Sequence, residues 1–350
     1  MRPALDGLFA AFRTHPIVGL GDAHGLAEEG AFYRRLVRDP RFAAQVGNLV
    51  VEFASSAHQD TLDRYVAGED VPRAELRWVW SDVVGGSITA TALMYQELLA
   101  EVRAVNQHLP PARRIRVWAG EPAADWSAIR TPQDLEPYLE QRDASADAVI
   151  EREVLGRAKK AVVIYGALHF FHLPTPPGLP ASSSLKARVE RAHPGAVYVV
   201  IPYFGFVQPE CSASFEAATR WPADSLVAPV TGTSLEALLT RPGCPVIRPP
   251  RPAPGAQPMA PEVLAQIQAG FVRPASGADA DALLYLAPAA SLTTSPNDPD
   301  LKTDPAYSAE MARRAPIIGF PPDFANHLAT GPRPYRDRNT PPAPRATPNP

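Results

Sequence analysis

Apolar positions along the chain gather into five short runs, and between them they recur at helical spacing. The runs are PIVGLG (16–21), NLVVEF (48–53), RIRVWAGEP (114–122), AVVIYG (161–166) and AVYVVIPYFG (196–205). Each is rich in Val and Ile with little polar alternation, the pattern of strands covered on both faces. Helical spacing predicts helices over 4–13, 26–37, 58–67, 73–84, 88–108 and 143–157. Phe32, Leu36 and Val37 share one face of the second; Ala92, Leu93, Tyr95, Leu98, Leu99 and Val102 line the longest.

Strands alternating with helices predict an α/β fold, a mostly parallel sheet flanked by helices. The segment ADALLYLAP (280–288) reads as a late strand returning to that sheet, and 262–270 as a helix. One α/β domain is expected over 1–290, with its core in 14–205. An irregular extension over 291–350 follows, whose last part, 331–350, is expected to be disordered.

Composition changes this picture mainly through proline. Of 41 prolines, many fall in 244–261 and 330–350, and a residue without an amide donor reads there as extended linker and tail. The formal charge of −3 gives no electrostatic case for nucleic acid, so a small-molecule substrate or ligand is the expected partner. No apolar run reaches the roughly 18 residues of a membrane helix. The apolar stretch at 8–12 is too short for a signal-peptide core. The chain as written therefore reads as cytoplasmic, and as periplasmic or exported if its start is truncated. The two cysteines, Cys211 and Cys244, are expected to be buried free thiols.

In open parallel sheets, ligands bind beyond the carboxyl ends of the strands. Acids and histidines stand there in this chain: Asp22 and His24 after the first run, Glu52 ending the second, Glu121 ending the third and His169 after the fourth. The first and fourth ends share a Gly-x-x-His spacing. With eight histidines and 22 glycines in 350 residues, chance supplies about half such a match, so position carries the signal rather than the motif.

His24, Glu52 and His169 would suit a divalent metal, zinc or manganese, holding an activated water. Without metal, the same set supplies histidine acid–base catalysis oriented by carboxylates. Glu28 could hold the second ring nitrogen of His24, while Arg142 and Asp143 could bind a substrate carboxylate or pair with Glu121 or Glu52. His172 could line the pocket. The Asp125-Trp126 pair could wall it, although Trp126 reads first as core. Gly85-Gly86-Ser87 reads as a loop-to-helix turn before it reads as an anion site.

The strings LGDAH (20–24), VVEF (50–53), Arg142-Asp143 and YGALH (165–169) resemble the superfamily of erythromycin esterases, ChaN haem-binding lipoproteins and Tiki/TraB proteins. The likeness spans about 14–205. It implies an α/β fold with its site at the strand ends, and it carries His24, Glu52 and His169 over as functional positions. Asp22 stands where the esterase and ChaN branches usually have glutamate. The functions implied are ester hydrolysis, metal-dependent peptide cleavage and haem handling. Hydrolysis of an ester or amide is the leading expectation, and non-enzymatic binding of haem or a small ligand the alternative.

Overall fold

A computed structural model describes residues 1–85, 91–171, 184–239, 241–244, 280–328 and 331–337. The expected helix at 262–270 and His172 lie outside the described residues, as do Gly86 and Ser87. The strands are β1 (Arg2–Pro3), β2 (Ile17–Asp22), β3 (Asn48–Ser55), β4 (Arg116–Glu121), β5 (Ala161–Gly166), β6 (Val197–Pro202), β7 (Ser225–Val227) and β8 (Ala282–Tyr285). They form one eight-stranded sheet in the order β1-β7-β8-β6-β2-β5-β3-β4. Pairing is parallel from β8 through β4, and β7 runs antiparallel to both β8 and β1.

All five apolar runs are strands, and 280–288 supplies β8, as the pattern predicts. Successive side chains alternate between two faces. Val18, Leu20, Leu49, Val51, Val162 and Ile164 meet helices α1 (Ala4–Ala11) and α2 (Ala27–Arg38), together with α3 (Pro40–Gln45), α4 (Gln59–Ala67) and the short α5 (Arg73–Leu76) and α6 (Trp78–Ser81). The long α7 (Leu93–Gln107) completes that layer. Ile17, Val50, Val163 and Val199 meet α8 (Pro132–Glu153) and α9 (Leu185–Ala192) on the other face. From β2 to β4 the chain advances with helices on the first face, and from β4 to β6 it returns with helices on the second. One hand of crossover requires that exchange. It leaves β2 and β5 side by side at the centre, with Asp22 opposite Gly166.

Several boundaries differ from the sequence expectation. The helix read over 73–84 is two short pieces, α5 and α6. The helix read over 143–157 begins at Pro132, because Thr131 and Asp134 form a capping box ahead of it. Arg142 and Asp143 therefore sit mid-helix.

The cysteines are not free thiols. Cys211, on α10 (Pro209–Thr219), is disulfide-bonded to Cys244 with a Cα–Cα distance of 5.7 Å. Both belong to an apolar cluster with Phe215, Leu235 and Leu239, and that packing brings together positions 33 residues apart.

Residues 331–337, expected to be disordered with the rest of the tail, pack back on the domain. Thr293 bridges Pro334, and Tyr335 is buried against Ala23, Leu26 and Leu292. No helix among the described residues is long and apolar enough to cross a membrane.

Candidate functional site

At the carboxyl ends of β2 and β5, side chains from separate segments meet around one carboxylate, that of Glu52. This residue lies within β3, three residues before its end, and does not end the strand as expected. Glu52 lies on the face of β3 covered by α8, where its alternation with Val50 puts it. Its Oε2 accepts the backbone N–H of Gly166, and its Oε1 accepts Nη2 of Arg142 from α8. Nε2 of His24 stands 3.9 Å from that Oε1, and Nε2 of His169 stands 3.6 Å from it. Two imidazoles and a guanidinium thus share a single carboxylate oxygen.

Each imidazole is fixed through its other nitrogen. His24 Nδ1 pairs with Asp22 Oδ2 at 2.6 Å, and His169 Nδ1 pairs with Asp143 Oδ1. His169 lies in a short 3-10 turn, Ala167–Phe170, directly after β5. A carboxylate held on Nδ1 orients the ring so that Nε2 faces the crevice. Gly166 makes the approach feasible, since a Cβ there would stand 2.9 Å from His24 Nε2.

Charge follows from this crowding. For His24, burial opposes protonation, but Glu52 and Asp22 outweigh it and raise the imidazole from 6.5 to about 9. Its side chain keeps 38% exposure, so solvent screens both the effect of burial and the pull of the two carboxylates. For His169, burial is likewise overcome by Glu52 and Asp143, again to about 9. Burial works against ionisation of Glu52, yet His24, His169 and Arg142 hold its carboxyl well below the usual range. Glu121 is pushed up to about 7 by burial, despite Arg142 Nε at 2.8 Å.

The remaining sequence candidates have other partners. Glu121 is fully buried and holds Arg142 Nε and the N–H of Gly85, so it braces the guanidinium and does not face a substrate. Arg142 in turn packs against Gly85, where any Cβ would collide with its guanidinium. Glu28 does not hold His24. It accepts the N–H and hydroxyl of Thr293, at 3.0 and 2.8 Å, and Asp22 takes the role expected of it. Trp126 is core, with its Nε1 donating to the Asp82 carbonyl.

Three groups in this network carry no sequence signal of their own. Tyr33 donates to Asp22 Oδ1 at 2.9 Å, Tyr95 donates to Asp22 Oδ2, and Glu29 accepts the N–H of Ala23 at 2.8 Å. Helical periodicity marks Tyr95 only as a packing residue and leaves Tyr33 unmarked.

The set His24–Glu52–His169 does not fit a resident zinc or manganese ion. Arg142 donates to the oxygen that both imidazoles face, so a guanidinium already neutralises the carboxylate that a metal would need. Among the described residues no three His, Cys, Asp or Glu are arranged to hold a metal. Haem fits no better. His169 Nε2 faces Glu52 beside Arg142, and an axial ligand needs a neutral ring opening on an apolar slot.

No family model and no curated protein matches the chain. Among solved structures it is similar to the type III effector HopBA1, at 17% identity and a TM-score of 0.35, over 57% of this chain and 83% of that one. It is also similar to a crystal structure of a Bacillus cereus protein, at 14% identity and a TM-score of 0.37, over 58% of this chain and 69% of that one.

Proposed function

We propose that this crevice hydrolyses an ester or amide of a small molecule, with the Asp22–His24 and Asp143–His169 dyads as its acid–base pair. One observation carries the reading: two imidazoles, each pinned through Nδ1 by its own carboxylate, turn Nε2 toward the same oxygen of Glu52. The resemblance of LGDAH, VVEF and YGALH to the erythromycin esterase, ChaN and Tiki/TraB superfamily points the same way.

The chemistry requires one imidazole neutral and one protonated. The neutral Nε2 takes a proton from water as the water oxygen bonds to the substrate carbonyl carbon. The protonated Nε2 then donates its proton to the leaving oxygen or nitrogen as that bond breaks, releasing acid and alcohol or amine. His24, the more exposed ring, is assigned to the water, and His169 to the leaving group. Glu52, itself held by Arg142, stands at the centre that the two rings share. The Cys211–Cys244 disulfide supports placing the protein in an oxidising compartment, outside the cytoplasm.

The test is a panel of activated esters, lactones and amides with the wild-type protein, His24→Ala and His169→Ala. Hydrolysis by the wild type, lost about 100-fold or more in each variant while unfolding stays cooperative, is the expected result. Variants that retain the wild-type rate, or a wild type inert to the whole panel, would end the proposal.

A further inference from the structure

Glu29 is the buried ionisable group that the proposed chemistry leaves unused. It lies on α2 at 1% exposure, and its Oε2 accepts the N–H of Ala23 at 2.8 Å. Ala23 is the residue between Asp22 and His24. Tyr33, one turn further along the same helix, donates to Asp22 and also reaches Glu29. One face of α2 therefore grips both the side chain of Asp22 and the peptide that leads to His24.

A carboxyl group is a costly way to fill that space. Burial, and then the charge of Asp22, raise its pKa well above the ordinary range, so its ionised form is disfavoured there. Leucine would fill similar volume at lower cost. It could not accept the Ala23 N–H, and a buried donor left unpaired shifts its backbone or loses its hydrogen-bond energy.

We propose that Glu29 is a positioning residue: by accepting the Ala23 N–H it fixes the Asp22–Ala23–His24 turn and so aims Nε2 of His24 into the crevice. The proposal rests on the reading of His24 as an acid–base group. It differs from a packing role in needing an acceptor, and from a charge role in needing no ionisation. Glutamine satisfies it and leucine does not.

The experiment compares wild type, Glu29→Gln and Glu29→Leu by two readouts. The first is kcat and KM for an ester that the wild type hydrolyses. The second needs no turnover: the rate at which diethyl pyrocarbonate modifies His24, located by mass spectrometry, with His169 as internal reference. Glu29→Gln is expected to keep kcat within about threefold. Glu29→Leu is expected to lower kcat by about 10- to 100-fold at unchanged KM, and to change the His24 modification rate at least about threefold relative to His169. Should Glu29→Leu not fold, Glu29→Met, flexible and equally without an acceptor, is read in the same way.

The proposal is overturned if the leucine or methionine variant matches wild type in both readouts. It is equally overturned if glutamine is as damaging as leucine. A wild type without hydrolytic activity would remove the function proposed above, while the His24 modification rates would still decide the role of Glu29.

Discussion

His24 and His169, 145 positions apart in sequence, direct Nε2 at the same oxygen of Glu52 from 3.9 and 3.6 Å. The sheet register brings them there. Asp22 pairs with Gly166 in adjacent parallel strands, so each chain needs only two or three more residues to place a ring over Glu52. Rings that face one carboxylate titrate as a pair and not as independent groups.

The first prediction is a pH profile. Both imidazoles are raised from 6.5 to about 9, so the singly protonated pair that the chemistry requires accumulates near pH 9. A plot of kcat/KM against pH should rise from pH 6 to a maximum near 9 and fall above it. A maximum at or below pH 7 would contradict a pair of rings that both stay protonated at neutral pH. Stability follows the opposite course. A histidine raised above its unfolded value contributes fully below pH 6.5 and loses that contribution as pH rises through about 9. Glu121, raised to about 7, loses its contribution between about pH 4.5 and 7. Glu52, depressed, contributes above its unfolded value and loses this only as acid reaches its folded value. Urea midpoints should therefore decline from pH 6 to pH 9.5, and the decline should shrink in a His24→Ala, His169→Ala double variant.

Arg142 yields a second prediction, about folding. Its guanidinium reaches Glu52 and Glu121, which are 9% and 0% exposed in their side chains. Arg142→Met would leave Glu121 without its cation and Glu52 with the two imidazoles alone, a loss of about 3–5 kcal/mol by analogy with other broken buried pairs. Urea unfolding measures it. Adding Glu121→Gln should restore part of the stability, because the amide removes the stranded acid and the two sites are directly coupled. A loss under about 1 kcal/mol, within the usual range for exposed pairs, would show that the network is loosely held.

Much of the site's outline is legible in the sequence, and its connections are not. Apolar runs that stop on Gly, Asp, Glu and His mark the strand ends, because a chain leaving a sheet must turn and a crevice must be polar. Which acid serves which histidine depends on rotations that spacing cannot fix. Glu28 and Glu29 are neighbours on α2, about 100° apart around the helix. The fold turns Glu28 to Thr293, from the far end of the chain, and Glu29 to Ala23. Thr131 lies 11 residues before Arg142, so the start of α8 is readable from its cap, although the apolar spacing conceals it. The pairing of Cys211 with Cys244 depends on a satellite core whose members are scattered from Tyr203 to Tyr285.

That disulfide gives a third prediction. Closing a loop between residues 33 positions apart stabilises by about 3–4 kcal/mol in the chain-entropy account. Dithiothreitol should lower Tm of the wild type by several degrees. It should leave a Cys211→Ser, Cys244→Ser variant, already lower, unaffected. Intact-mass measurement before and after reduction checks the bond directly, and two free thiols in protein purified without reductant would refute it.

The last prediction concerns the far end of the chain. Ala27 N donates to Thr293 O, Ser295 N to Gly25 O, and Thr294 N to Arg333 O, so segments near 293 and 333 form successive layers on the His24 loop. Ser295 and Pro296 also accept the N–H groups of Met94 and Leu93, which the first turn of α7 would otherwise leave unpaired. Tyr335, 3% exposed, completes the stack by donating its hydroxyl to the His24 carbonyl at 3.2 Å. A chain ending at Asp337 keeps every one of these contacts and is the reference for a shorter one. A chain ending at Thr330 loses a buried tyrosine and the Thr294 ladder, about 3 kcal/mol or more on the scale of emptied aromatic sites. Its Tm should fall by several degrees, and its rate should fall further than that of Tyr335→Phe, which removes one hydrogen bond and keeps the ring. Equal Tm for the two truncations would mean that the segment lies on the domain without bracing it.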